Sequence, residues 1–309
     1  MARMRYFVLA LLLLALAGCG GDADSAGDGL TGKIETDGSS TVGPFATAAA
    51  ERFGREHSGV RVTVGVSGTG GGFERFCRGE TDLSDASRPI KDEEAQACKA
   101  KGIDYWEFQV ANDAVTVVAN TQNDWVDCVT TAQLKTIWDQ GSQVKSWNQV
   151  DPKFPNEPLK LYGPGTDSGT FDYFTGEING DEGRSRSDYA ASEDDNVLVQ
   201  GVAGDKGALG YFGFSYFEQN QDKLKALAID GGSGCVEPSA ATAQNGTYKP
   251  LSRPLFIYAK KSSFQRPEVK AFMRYVLDNE QAIAEAAQFV PMTDTQLKKA
   301  EAAFAADAG

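Results

Sequence analysis

Three segments of this chain share one order of residue types: an apolar strand-like run, a Gly/Ser/Thr turn, then a helical pattern. They are DGSSTVGPF (Asp37 to Phe45), VSGTGGGFERF (Val66 to Phe76) and GPGTDSGTFDYF (Gly163 to Phe174). This grammar limits the fold. A helix N-terminus offers unpaired amides and the positive end of the dipole, and glycine lets backbone approach a ligand. One such turn is ordinary, because Ser and Thr cap helices in every α/β protein. Three in one chain point to a cradle for an anion.

The surrounding pattern agrees with an α/β class. Apolar alternation predicts strands over Val60–Val66, Ala114–Asn120, Leu159–Gly163, Ala208–Phe214 and Pro254–Lys260. Helical spacing follows from Phe45, from Asp92 with acids in its first turn, from Thr130, and after Pro267 with Val269, Phe272, Met273 and Val276 on one face. The stretch Glu280 to Ala306 reads as two helices split at PMTD (Pro291 to Asp294). Strands alternating with helices mean a layered α/β protein. The length of 309 residues suits two domains, and 41% hydrophobic residues suffice for real cores.

The chain opens with Arg3, Arg5 and the apolar run FVLALLLLALAG (Phe7 to Gly18), a secretory signal pattern too short to span comfortably. It ends in Leu16-Ala17-Gly18-Cys19, similar to a bacterial lipobox, which makes Cys19 the expected lipidated residue. Residues 1–18 are thus expected as signal peptide, and the Gly/Asp/Ser-rich residues 19–31 as a flexible tether. Losing Arg3 and Arg5 takes the net charge from −13 to −15. Such acidity argues against nucleic acid and against an anionic membrane surface as partner, leaving the lipid as the only membrane attachment.

Export also governs the other cysteines. Cys77, Cys98, Cys128 and Cys235 lie in an oxidising compartment, where two disulfides are expected and three pairings are possible. Cys77 with Cys98 would close a short loop and leave Cys128 with Cys235. No CxxC pair exists and His57 is the only histidine, so no metal site or other cofactor is expected. Nucleotide motifs fail too. No turn is followed by the Lys-Ser/Thr of a P-loop, and Phe73 stands where a dinucleotide fingerprint needs its third glycine. A cradle without lysine suits a small free oxyanion. The rival reading is a secreted phosphatase or hydrolase with Ser168 as nucleophile. It would need glycine where Thr166 stands, and a base for which only His57 is available, at the end of a helical pattern. No enzyme activity is expected.

DGSSTV, SGTGGGFERFCRGETDLSDASRPI (Ser67 to Ile90), GPGTDSGTF, EDDNVLVQGV (Glu193 to Val202) and PLSRPLFIY (Pro250 to Tyr258) together resemble the phosphate-binding lipoproteins of bacterial phosphate ABC transporters. The resemblance runs in order from about Gly32 to the C-terminus. It implies a bilobed periplasmic-binding-protein fold, two α/β domains joined by a two-segment hinge. Domain I would be residues 32–113 plus 256–309 and domain II residues 114–255, which places Cys77–Cys98 and Cys128–Cys235 each within one domain. The implied function is capture of inorganic phosphate outside the cytoplasmic membrane and delivery to permease subunits, by a monomer on the periplasmic or extracellular face. Sulfate or molybdate is the alternative ligand.

The ligand set implied by the resemblance is Ser40 and Thr41 from the first loop, Thr69 with Gly70 from the second, and Ser168, Gly169 and Thr170 from the third. Two positions depart from the family's pattern. Ser87 stands where many members place an aspartate, with Asp85 two residues earlier, and Pro164 stands where many place an arginine. Arg88 is the expected replacement for that cation. Asp167 is the expected acceptor of the proton that phosphate keeps and sulfate lacks, with Asp85 as its competitor.

Overall fold

The computed structural model describes residues 29–306 apart from Asp167. The signal peptide, Cys19, most of the tether and Asp167 lie outside the described residues. The chain begins with β1 (Gly32–Gly38), α1 (Gly43–Glu56), β2 (Val60–Gly65), α2 (Gly68–Cys77), β3 (Leu83–Ala86) and α3 (Asp92–Ala100). It then enters β4 (Tyr105–Asn120), a strand of 16 residues. The next part holds β5 (Cys128–Thr130), α4 (Thr131–Trp138), β6 (Lys160–Gly163), α5 (Gly169–Asn179), β7 (Ala190–Ala191) and α6 (Asp195–Ala203). After β8 (Ala208–Gly213) come α7 (Phe214–Glu218), β9 (Leu224–Ala226), β10 (Ala228–Asp230), β11 (Cys235–Val236) and α8 (Ala240–Gln244). The chain returns along β12 (Ser252–Lys260) and ends in α9 (Pro267–Asp278), α10 (Glu280–Ala286) and α11 (Asp294–Ala305).

The main sheet runs β2-β1-β3-β12-β4-β8-β6-β7, with β9 also on β4, and β11-β10-β5 form a small second sheet. β4 and β12 pair antiparallel from Tyr105/Lys260 to Ala114/Ser252. They are the two strands that join the lobes. On one side parallel β1, β2 and β3 carry α1 and α2; on the other β8 and β6 carry α5 and α6. One core gathers Ile34, Phe45, Phe53, Leu83, Phe108, Ile257 and Phe272. The other gathers Val115, Trp138, Trp147, Phe174, Tyr211 and Leu251, with Val290 reaching in from the C-terminal segment. The result is two α/β lobes with a cleft between them.

Two differences from the sequence reading have physical causes. β4 starts at Tyr105 and not at Ala114, because it serves first the one lobe and then the other, and its residues Val110–Asn120 are all buried. α2 begins at Gly68 and runs through Gly70–Gly72, where the sequence suggested a turn. The glycines are there for approach: a Cβ on Gly72 would lie 2.5 Å from the Cα of Gly38 on β1. Disulfides Cys77–Cys98 and Cys128–Cys235 are formed, one in each lobe.

Candidate functional site

The first loop leaves β1 and is held before α1 begins. Ser39 N–H donates to the carbonyl of Asp85 (2.8 Å), Val42 N–H to Ser39 Oγ (3.3 Å), and Gly43 N–H to Ser39 O (3.0 Å). Asp37, at the end of β1, accepts Ser67 N–H (3.0 Å) and pairs with Arg75, which ties the second loop to the first strand. In the third loop Ser168 caps α5, its Oγ accepting Thr170 N–H (3.2 Å). The starts of α1 and α5 line one cavity of the cleft, and the start of α2 lines a second one.

The lobes touch at the centre of this arrangement. Thr41 Oγ1 donates to the carbonyl of Gly169 across the cleft (3.3 Å), and a Cβ on Gly169 would sit 2.6 Å from both Thr41 N and Thr41 Oγ1. The same hydroxyl accepts from Arg253 Nη2 (2.7 Å). Arg253 Nε donates to Asp113 Oδ2 (3.2 Å), and the guanidinium carbon lies 3.5 Å from the centroid of the Tyr173 ring. Both charges are withdrawn from water, with side-chain exposures of 12% for Arg253 and 7% for Asp113. Burial pushes the Asp113 carboxyl up, and Arg253 opposes that rise. The pair exists because β12 and β4 register Arg253 opposite Asp113 on the two hinge strands.

Two cavities open beside this contact. One, of about 360 Å³, is lined by Thr69, Ser87, Arg88, Asp172, Tyr173 and Arg253 among others. The other, of about 460 Å³, is lined by Ser40, Thr41, Asp113, Ser168, Gly169 and Thr170, and also by Glu193 and Asp195. Thr69 Oγ1 and Ser87 Oγ share a hydrogen bond (3.1 Å), and Ser87 N–H donates to Thr69 Oγ1 (3.2 Å). Burial pushes Asp195 up to about 7, with Asp194 and Glu193 adding to the rise, and burial also raises Asp172.

The structure thus brings Ser40, Thr41, Thr69, Ser87, Ser168, Gly169 and Thr170 to the cleft. Two expected positions, Gly70 and Asp85, line neither cleft cavity. Arg88 lines the smaller cavity with Thr69 and Ser87, its Nη1 and Nη2 held by the Glu94 carboxylate (2.8 Å each). Gly70 lines an outer groove between α2 and α3 and neither cleft cavity. Asp85 is fully buried with no partner for either carboxylate oxygen, and it too lines neither cavity. Alternation along β3 turns its side chain to the same face as Leu83, into the lobe core. It reaches the first loop only through its backbone carbonyl. His57 ends α1, with its ring 4.3 Å from that of Phe53, and lines neither cavity.

Arg253 and Asp113 were not singled out by sequence. Their signal was a lone charge in each of two apolar runs, PLSRPLFIY and ANDAVTVVAN, since buried charges are almost always paired.

Comparison with known proteins identifies the family. A family model described as a PBP superfamily domain matches residues 23–280. Protein SphX of Synechococcus elongatus is 50% identical over 84% of this chain and 77% of its own length. Phosphate-binding protein PstS of Staphylococcus saprophyticus is 45% identical over 92% of this chain and 87% of its own. The chain belongs to the PstS phosphate-binding protein family. Among solved PstS-like structures, a possible phosphate binding protein from Planctomyces limnophilus is 48% identical with TM-score 0.88, covering 91% of this chain and all of that one. A putative phosphate ABC transporter substrate-binding protein from Clostridium perfringens, solved with bound phosphate, is 25% identical with TM-score 0.58, over 85% of this chain and all of that one.

Proposed function

We propose that this protein captures inorganic phosphate in the interlobe cleft and hands it to the membrane permease of a phosphate ABC transporter. One observation carries the reading: hydroxyls at the starts of α1, α2 and α5 line two cavities on either side of the contact between Thr41, Gly169 and the buried Arg253 guanidinium. Neutral dipoles and one cation would bind a small oxyanion without catalytic groups. Ser40, Thr41, Thr69, Ser87, Ser168, Gly169 and Thr170 would supply donors. Arg253, not Arg88, would supply the charge, held at the hinge by Asp113. Asp167 stays the proposed acceptor for the phosphate proton.

The domain boundaries stay proposed at 32–113 plus 256–309 and at 114–255, with Leu255 packing in the first core and Val290 in the second. Export as a lipid-anchored monomer rests on the leader and on Cys19. Cys19→Ala should move the protein from the membrane fraction to the soluble one; retention on the membrane would remove the anchor.

The deciding experiment is calorimetric titration of phosphate-stripped protein with phosphate and, separately, sulfate. Tight binding of phosphate and weak binding of sulfate are expected. Absence of heat with phosphate, or equal affinity for the two, would overturn the reading. Arg253→Lys keeps a charge but loses the planar fork, and should weaken phosphate binding by about 2 kcal/mol.

A further inference from the structure

β4 and β12 are the covalent hinge, but the lobes are also tied by a segment that crosses without a chain connection. α10 packs in the core of the first lobe through Ile283 and Ala284, and Met292 returns to that core. Between them Val290 is buried in the core of the second lobe. Val290 and Asn112 of β4 exchange both backbone hydrogen bonds (2.8 and 2.9 Å). Gln244 of α8 donates to Pro291 O (2.9 Å). Ala286, Ala287, Gln288 and Phe289 line the larger cleft cavity.

Gln288 is the unusual member. Its φ is 63°, and among the described residues it is the only non-glycine with positive φ. Phe289 N–H donates to Ala284 O (2.8 Å) and Gln288 N–H to Glu285 O (3.2 Å), so Gln288 fills the left-handed position that closes a helix, where glycine is the usual residue. A side chain kept there at a conformational cost is expected to be used. It is used across the lobes: Gln288 Oε1 accepts from Gln219 Nε2 (2.7 Å), and its carbonyl accepts from Ser215 Oγ (2.9 Å). Ser215 lies on α7 and Gln219 just past it, on the second lobe.

We propose that residues 287–291 form a third, non-covalent crossing between the lobes, and that Gln288 is a positioning residue that keeps the two lobes together across the cleft. The idea rests on the phosphate reading for its affinity consequence, not for its shape consequence. If the tether raises the fraction of molecules already competent to bind, losing it lowers apparent affinity by the same factor.

Gln288→Gly separates this role from a structural one. Glycine relaxes the backbone, so the melting temperature of the stripped protein should stay level or rise. Small-angle scattering of the same stripped sample should show a larger radius of gyration. Phosphate affinity should fall about fivefold, the loss expected of one hydrogen bond, with faster release. Gln219→Ala removes the same bond from the other side and should reproduce both effects. Unchanged scattering and unchanged affinity in both variants would overturn the tether. If the wild-type protein fails to bind phosphate, the ligand reading falls, and scattering alone still decides the tether.

Discussion

At the scale of single residues the cleft depends on Thr41, Gly169 and Arg253. Thr41 Oγ1 donates to one lobe while accepting from the hinge arginine, and only glycine at 169 lets the loops come so close. Gly169→Ala should therefore act on closure and not on folding. Alanine at the first position of α5 is a good helix former, so the melting temperature of stripped protein should hold. The added methyl meets the Thr41 backbone, which the Ser39 bonds keep from yielding. Overpacking of this kind costs about 1–3 kcal/mol, and should appear as roughly five- to a hundredfold weaker phosphate binding by titration calorimetry. Full affinity in that variant would mean that the lobes need not meet at this contact. The hydroxyl loops were legible in the sequence because Gly, Ser and Thr there form local turns. Arg253 and Asp113 were not, because what joins them is strand register across 140 residues. The Glu94 partner of Arg88 was not legible either, since only the placement of α3 brings the two together.

At the scale of elements, β1, β3 and the loop between β1 and α1 form the floor of the first lobe's half of the site. Asp85 is buried behind that floor, where burial pushes its carboxyl up to about 7 and the nearby Asp37 charge adds to the rise. In the unfolded chain the group titrates near about 4. Between those values the folded protein keeps a proton that the unfolded chain has lost, so the stabilisation is complete below pH about 4 and fades as pH climbs to about 7. Asp195 and Glu280, both also pushed up to about 7 by burial, add slopes of the same sign. The test is consequently a difference. Asp85→Asn should flatten the fall in melting temperature between pH 5 and pH 8, by an amount on the order of a few kcal/mol at the alkaline end. An unaltered slope would show that Asp85 keeps an ordinary carboxylate in the fold. The elements themselves were largely readable. Helices at Asp92, Thr130 and Pro267 begin within a residue of the reading, since caps and first-turn acids are local signals. The short strands β5, β7, β9, β10 and β11 were not, being two or three residues held only by their partners.

At the scale of the molecule, two cores share two through-going strands, and each lobe closes its own disulfide. Bilobed architecture was legible through the resemblance of ordered motifs, because their order along the chain encodes which loops face the cleft. The crossing of residues 287–291 was not, since nothing local marks Gln288 as left-handed. Such a layout makes folding stability depend on the ligand in a particular way. The lobes meet through Thr41, Gly169 and the C-terminal crossing, and contacts this sparse couple domains weakly. With phosphate, donors from both lobes share one anion, and whatever binds only the assembled site stabilises both lobes together. Scanning calorimetry of stripped protein should therefore give a calorimetric enthalpy above the van't Hoff value, the mark of two unfolding units. Saturating phosphate should raise the transition and bring the two enthalpies together; sulfate at the same concentration should do neither. A single two-state transition in stripped protein would mean that β4 and β12 already weld the lobes into one cooperative unit. The proposed boundaries at residues 113/114 and 255/256 would then not separate folding units.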